Sequence, residues 1–166
     1  MSDVLKILDS NQINQKILRL SWQVFEDNFS EEEITLVGIG EQGSLIAVEV
    51  KFHLNTISKL KTTVFRLDVD RNKPFNKVNT ELTEKDFKNK VIILIDDVLH
   101  SGKTLTYAFK TFLDTSVKKM AVLVLIDRNH NTFPVKANYV GLSLSTTLKE
   151  YIEVELKGSN KGVYLS

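Results

Sequence analysis

The residues best suited to chemistry stand in one stretch, Val91 to Thr104, VIILIDDVLHSGKT. Two adjacent carboxylates, Asp96 and Asp97, follow an apolar run, and a turn of small and hydroxyl residues, Ser101-Gly102-Lys103-Thr104, comes next. Val91 to Ile95 suits a buried parallel strand. Leu105, Ala108, Phe109, Phe112 and Leu113 fall at helical spacing, which starts a helix near Ser101 to Thr104. Free backbone N–H groups at such a start bind phosphate, the two hydroxyls add donors, and Gly102 lets the chain turn closely around an oxyanion. An acid pair beside a phosphate-binding turn is a site. A nucleotide P-loop is excluded, because that motif needs glycine where Asp97 stands. A plain strand whose acids cap the next helix would explain the carboxylates but not the complete turn.

The elements that must position this stretch are those of an α/β chain. With 166 residues and 42% hydrophobic content, positions 1–166 suit one domain with a substantial core. The 22 basic and 21 acidic residues nearly cancel, so no global field selects nucleic acid. The absence of cysteine excludes disulfides, thiol catalysis and thiolate metal sites, and suits a reducing cytosol. No leader-like N-terminus and no stretch of membrane-spanning length is seen, so a soluble cytoplasmic protein with no membrane partner is the expectation.

Ser10 is placed to cap a helix carrying Ile13, Ile17, Leu20 and Val24 on one face, widened by Leu18, Trp22 and Phe25. After the solvated run at 31–33, Ile34 to Ile39 reads as a strand, Gly40-Glu41-Gln42-Gly43 as a turn, and the residues from Ser44 to about Leu54 as a helix. Judged alone, these glycines could simply serve a tight turn. Thr62 to Val69 is a third strand, followed by a polar segment through Lys90. Lys118 to Ile126 is another apolar strand, ending in Asp127. No role is readable in the tail from Gly158 to Ser166.

The signature at 91–104 closely resembles that of the type I phosphoribosyltransferases, which bind 5-phosphoribosyl 1-diphosphate (PRPP). The continuation DRNHNTFPVKANYVGLSLST resembles the pyrimidine-operon regulator and uracil phosphoribosyltransferase group within that family, in its Asp-Arg-x-His run, its proline-containing turn and its Tyr-Val-Gly triplet. The resemblance implies a mainly parallel twisted sheet flanked by helices, with a small hood. It also implies that Asp96 and Asp97 hold the ribose 2′- and 3′-hydroxyls and that Leu99, His100, Ser101, Gly102, Lys103 and Thr104 wrap the 5′-phosphate. Asp96, Asp97 and His100 are then the catalytic candidates. His100 occupies a slot where purine-using members often carry an aspartate, and a histidine there could manage a proton near neutral pH or be inert.

By the same resemblance Glu41, Gln42 and Gly43 form the diphosphate loop, and the peptide entering Gln42 is a candidate for a cis or strained bond. Members usually carry lysine or arginine just before that glycine. Gln42 offers amide hydrogen bonds but no charge. The segment 70–90 corresponds to a mobile flap, in which Arg71 and Lys73 could supply the missing cation. The hood would bind a base: Tyr139 stacking, the Val140 backbone reading an edge, and Asp127 with Arg128 bonding polar atoms or orienting the loop. Read without the resemblance, a Tyr-Val pair in a strand is more often core.

The activity implied is Mg²⁺-dependent transfer of phosphoribose from PRPP to a nucleobase, uracil first, with the ion held mainly by substrate oxygens and through water by Asp96 and Asp97. Two rivals are an RNA-binding regulator with weak or no catalysis and a purine or xanthine enzyme. RNA is disfavoured, because Leu18 and Trp22 stand beside Arg19 where polar residues would be expected and the net charge is near zero. A homo-oligomer is implied, with Trp22, Phe29 and Phe133 as candidate contacts.

Overall fold

The computed structural model describes residues 4–147 and 149–166. The chain runs β1 (Leu5–Asp9), α1 (Ser10–Asp27), β2 (Glu33–Ile39), α2 (Gly40–Ile57), β3 (Lys61–Asp68), β4 (Asn79–Thr80) and α3 (Glu84–Phe87). It continues with β5 (Val91–Leu99), α4 (Lys103–Phe109), β6 (Lys119–Asp127), β7 (Tyr139–Ser143), β8 (Ile152–Glu155) and β9 (Gly162–Leu165). The main sheet has the order β4-β3-β2-β5-β6-β7 and is parallel except for the two-residue edge strand β4.

Period-two alternation along the central strands divides their side chains between two cores. Leu36, Ile93, Ile95, Leu123 and Leu125 face α1 and α2. Val37, Ile92, Leu94, Val122 and Val124 face the side of α4, where Leu105 and Ala108 bury their side chains. A parallel strand covered on both faces reads as a continuous apolar run, which is why β5 and β6 stand out in the sequence.

Helix α2 reaches the sheet through two glycines. A Cβ on Gly38 would lie 2.3 Å from Cα of Ser44, and one on Gly43 would lie 2.4 Å from the carbonyl oxygen of Ile95. The first turn of α2 therefore presses directly on the carboxyl ends of β2 and β5. Gly40 takes a left-handed φ of 62° to make the turn. The residues 41–43 belong to that first helical turn rather than to a separate loop, and every peptide bond among the described residues is trans, so the cis bond considered at Gln42 is not found.

The hood differs from the expectation. It is a three-stranded antiparallel sheet, β1-β9-β8, made from residues 5–9 and 152–165, with the segment for which no role was read as its middle strand. Leu8, Ile152, Val154 and Val163 tie it to the α1/α2 core. The N-cap of α1 is Asp9, not Ser10. Its carboxylate accepts from the Gln12 amide at 2.8 Å, and Gln12 Oε1 accepts from the Asp9 amide at 2.9 Å. Arg19 is occupied structurally, donating to the carbonyls of Val140 and Gly141 at 3.1 and 2.6 Å along the outer strand β7.

Replacing Gly38 with alanine should cost about 1–3 kcal/mol, because α2 must lift from β2 to admit the methyl group. Chemical denaturation of the variant checks this.

Candidate active site

Pocket residues converge where β5 ends, at a cavity of about 290 Å³. Asp96 to Leu105 line it continuously, joined by Arg71, Arg128, Tyr151 and Ile152. The two carboxylates and the whole turn 99–104 thus face one space. Adjacent strand residues point to opposite sides of a sheet, so Asp96 and Asp97 can serve one ligand only at the strand's rim, which is where β5 holds them.

Asp96 is buried, 6% exposed. Burial, then the neighbouring Asp97 carboxylate, push its pKa well above the usual carboxylate range, while Arg71 pulls it down. Its Oδ1 accepts from the Asp97 amide at 2.9 Å, and Asp97 Oδ1 accepts from the Val98 amide at 2.9 Å. A carboxyl held in this state fits a site that receives hydroxyl donors or positive charge from a ligand.

The turn is shaped by Gly102, whose φ of 82° lies in the left-handed region. A Cβ there would approach that of Val135 to 3.3 Å. The segment after β6 braces this turn from outside. Arg128 N–H donates to the Leu99 carbonyl at 3.1 Å, and the amides of Thr132 and Phe133 both donate to the Ser101 carbonyl at 3.0 Å. Phe133, considered above as a surface contact, is half-buried beside Tyr107.

His100 is exposed at the mouth. Partial burial, then the Arg128 guanidinium and His130, hold its pKa below the ordinary imidazole value, so the ring is neutral at pH 7. His130, which closes the Asp-Arg-x-His run, lies 6.3 Å away ring to ring, and its Nε2 is in hydrogen-bond contact with the Thr146 carbonyl.

The base-binding residues inferred from the Tyr-Val-Gly triplet are not brought to this space. Tyr139 pairs with Leu123 and Ser143 with Asp127, so Tyr139 sits at the start of β7, about 13 Å short of the carboxyl edge at the usual rise per residue. It is 3% exposed and belongs to the core; burial, then Asp27, raise its hydroxyl pKa to about 12. The Val140 carbonyl is taken by Arg19, and its side chain packs on the second core. Asp127 accepts from the Asn129 amide at 2.9 Å and is not among the residues lining the cavity. Arg128 does line it, and ties down the following chain by donating to Thr146 Oγ1, the Thr147 carbonyl and the Glu150 carbonyl at 2.9, 3.2 and 2.7 Å.

In place of Tyr139 the cavity has Tyr151, 62% exposed, with Ile152 beside it. The Tyr151 main chain is pinned by two bonds to Ser166, 2.8 and 3.0 Å long. The available signal in sequence was weak: an aromatic residue opening the short alternating strand Ile152–Glu155. Of the flap pair, Arg71 reaches the cavity and Lys73 does not. Gln42 lies in the first turn of α2, and Gly43 packs on Asp96 with its Cβ position 3.3 Å from that residue's Cα.

Comparison with known proteins gives the family and the fold. The family model described as phosphoribosyl transferase domain matches residues 3–157. The chain belongs to the phosphoribosyltransferase family. It is 33% identical over 162 residues to a protein named bifunctional protein PyrR from Caldicellulosiruptor bescii, covering 93% of this chain and 89% of the relative. A protein of the same name from Clostridium acetobutylicum is 34% identical over 161 residues, covering 92% and 90%. A hypoxanthine-guanine phosphoribosyltransferase from Bacillus anthracis superposes with a TM-score of 0.77 at 21% identity, covering 98% of this chain and 96% of that one, which shows the shared fold.

The pKa of Asp96 gives a stability prediction. A carboxyl whose folded pKa lies above its unfolded value lowers stability as pH rises past the unfolded value, near 3.9, toward the folded one. Asp96→Asn should therefore melt above the wild type at pH 8, and the gap should shrink toward pH 4; thermal unfolding across that range checks it.

Proposed function

We propose that this protein transfers phosphoribose from PRPP to a nucleobase, with uracil the first candidate. The observation that carries the proposal is the convergence of Asp96, Asp97 and the turn 99–104 on one cavity at the end of β5. Asp96 and Asp97 accept from the ribose 2′- and 3′-hydroxyls. The 5′-phosphate sits in the turn from Leu99 to Thr104, against the hydroxyls of Ser101 and Thr104. As diphosphate leaves, the anomeric carbon gains oxocarbenium character, and the nearby carboxylates stabilise that charge. The amides of the first turn of α2, at Glu41, Gln42 and Gly43, face the leaving group.

Mg²⁺ is part of the proposal. Among the described residues no group of three or more His, Asp or Glu side chains is placed to hold a metal by itself. The oxygen donors of Asp96 and Asp97 suit a hard cation that substrate oxygens mainly coordinate, and the bound ion would supply neutralisation of the diphosphate.

Tyr151 gives the base an aromatic face, and Ile152 an apolar edge. His100, neutral at pH 7, is placed to take a proton from the incoming base. Arg71 brings its charge from the segment after β3 and faces Asp96. Uracil is put first because the relatives over most of the chain are named PyrR; the shared fold with purine enzymes keeps hypoxanthine and guanine as the second reading. RNA remains the disfavoured partner, since Arg19 is bonded to β7. Self-association is proposed through the exposed Trp22 and Phe29.

Assay of uracil, hypoxanthine, guanine, xanthine and adenine with PRPP and magnesium tests this directly, and no turnover with any base would refute it. Asp97→Asn should lower kcat/KM by about 100-fold through lost charge stabilisation. Tyr151→Ala should raise KM for the base about tenfold and leave KM for PRPP nearly unchanged. The wild-type rate should fall as pH drops through the depressed His100 pKa, and His100→Phe should lose that acid limb; an unchanged profile would remove His100 from proton transfer.

A further inference from the structure

Gln42 leaves the first turn of α2 without a basic side chain of its own, and its Oε1 is buried with no hydrogen-bond partner. The same turn also carries an acid, Glu41. Its pKa is held below the ordinary value by its bond to Lys157, then by the charge of that residue and of Arg66, so Glu41 is ionised at neutral pH. An unneutralised carboxylate there would repel a diphosphate.

The neutralising group comes from the hood. Lys157 follows β8 and forms an ion pair with Glu41 Oε1, joining positions 116 residues apart. The other cations nearby have different engagements. Arg66 is held by both oxygens of Asp68, at 2.9 and 3.0 Å, and Arg71 faces Asp96. Glu41 and Lys157 are 55% and 57% exposed, and an exposed pair on a flexible four-carbon stem is weakly held. A polyanion arriving at the helix start competes well with one carboxylate for that ammonium.

We propose that Lys157 is the cation of the diphosphate subsite: it neutralises Glu41 in the free protein and bonds the diphosphate of bound PRPP, supplying from the hood the charge that Gln42 lacks. This rests on the phosphoribosyl-transfer reading above. It makes the small sheet part of substrate binding on the leaving-group side as well as on the base side.

Calorimetry on the full chain with magnesium tests it, with PRPP, inorganic diphosphate and the nucleoside 5′-monophosphate of the accepted base as three ligands. Lys157→Met should weaken PRPP and diphosphate about tenfold or more, the loss of one charge-assisted contact, and leave the monophosphate within about twofold. Lys157→Arg should retain affinity, and adding Glu41→Gln to Lys157→Met should recover part of the loss by removing the repelling acid. If Lys157→Met binds diphosphate and PRPP like the wild type, or weakens all three ligands alike, the assignment is wrong and the pair is only a strut between hood and helix. If the wild type itself binds neither PRPP nor the monophosphate, the transfer reading fails first and takes this one with it.

Discussion

The arrangement of the molecule turns on a carboxyl group held out of water. Asp96 ends the apolar run of the central strand, and burial of its charge is costly unless something positive or hydrogen-donating is brought to it. Asp97 beside it raises that cost, and the charge of Arg71, which lines the same cavity from the segment after β3, lowers it. A site of this kind is unfavourable when empty and favourable when filled, which is a common way for a fold to commit stability to function. The glycines at 38 and 43 belong to the same constraint, because only a strand without a Cβ at 38 and a helix without one at 43 can bring the free amides of α2 so near the strand ends.

Support for the phosphate turn comes from outside the motif. Residues 128 to 135 donate to the carbonyls of Leu99 and Ser101 and close over Gly102, so the turn is held from its outer side while its inner side faces the cavity. Arg128, itself buried, passes this constraint onward to the chain at 146–150. The stretch that resembles a base-binding hood in sequence is, in this molecule, a brace with one strand behind it.

The hood itself is assembled from residues far apart in the chain. β9 lies between β1 and β8, and the start of β8 brings Tyr151 and Ile152 to the cavity. The three short strands gain stability by sharing the α1/α2 core through Leu8, Val154 and Val163.

What could be read in advance was local and periodic. The runs Val91–Ile95 and Lys118–Ile126 announced buried parallel strands, and the acid pair followed by Ser-Gly-Lys-Thr announced a site at a strand end, because strand, turn and helix start are adjacent in sequence. The family followed from the same residues. Register and long-range pairing were not readable. Whether Tyr139 faces a ligand depends on how far β7 slides along β6, and nothing within five residues of Tyr139 encodes its partner Leu123. Lys157 and Glu41 meet only because β8 packs against β5, and Tyr151 acquires its place from main-chain bonds to Ser166. Sequence by itself determined the composition of the central strands and the chemistry at the end of one of them, since both depend on neighbours a few positions away. The choice of which distant side chains complete that chemistry belonged to the tertiary structure, because strand order and register are settled by packing across the whole core.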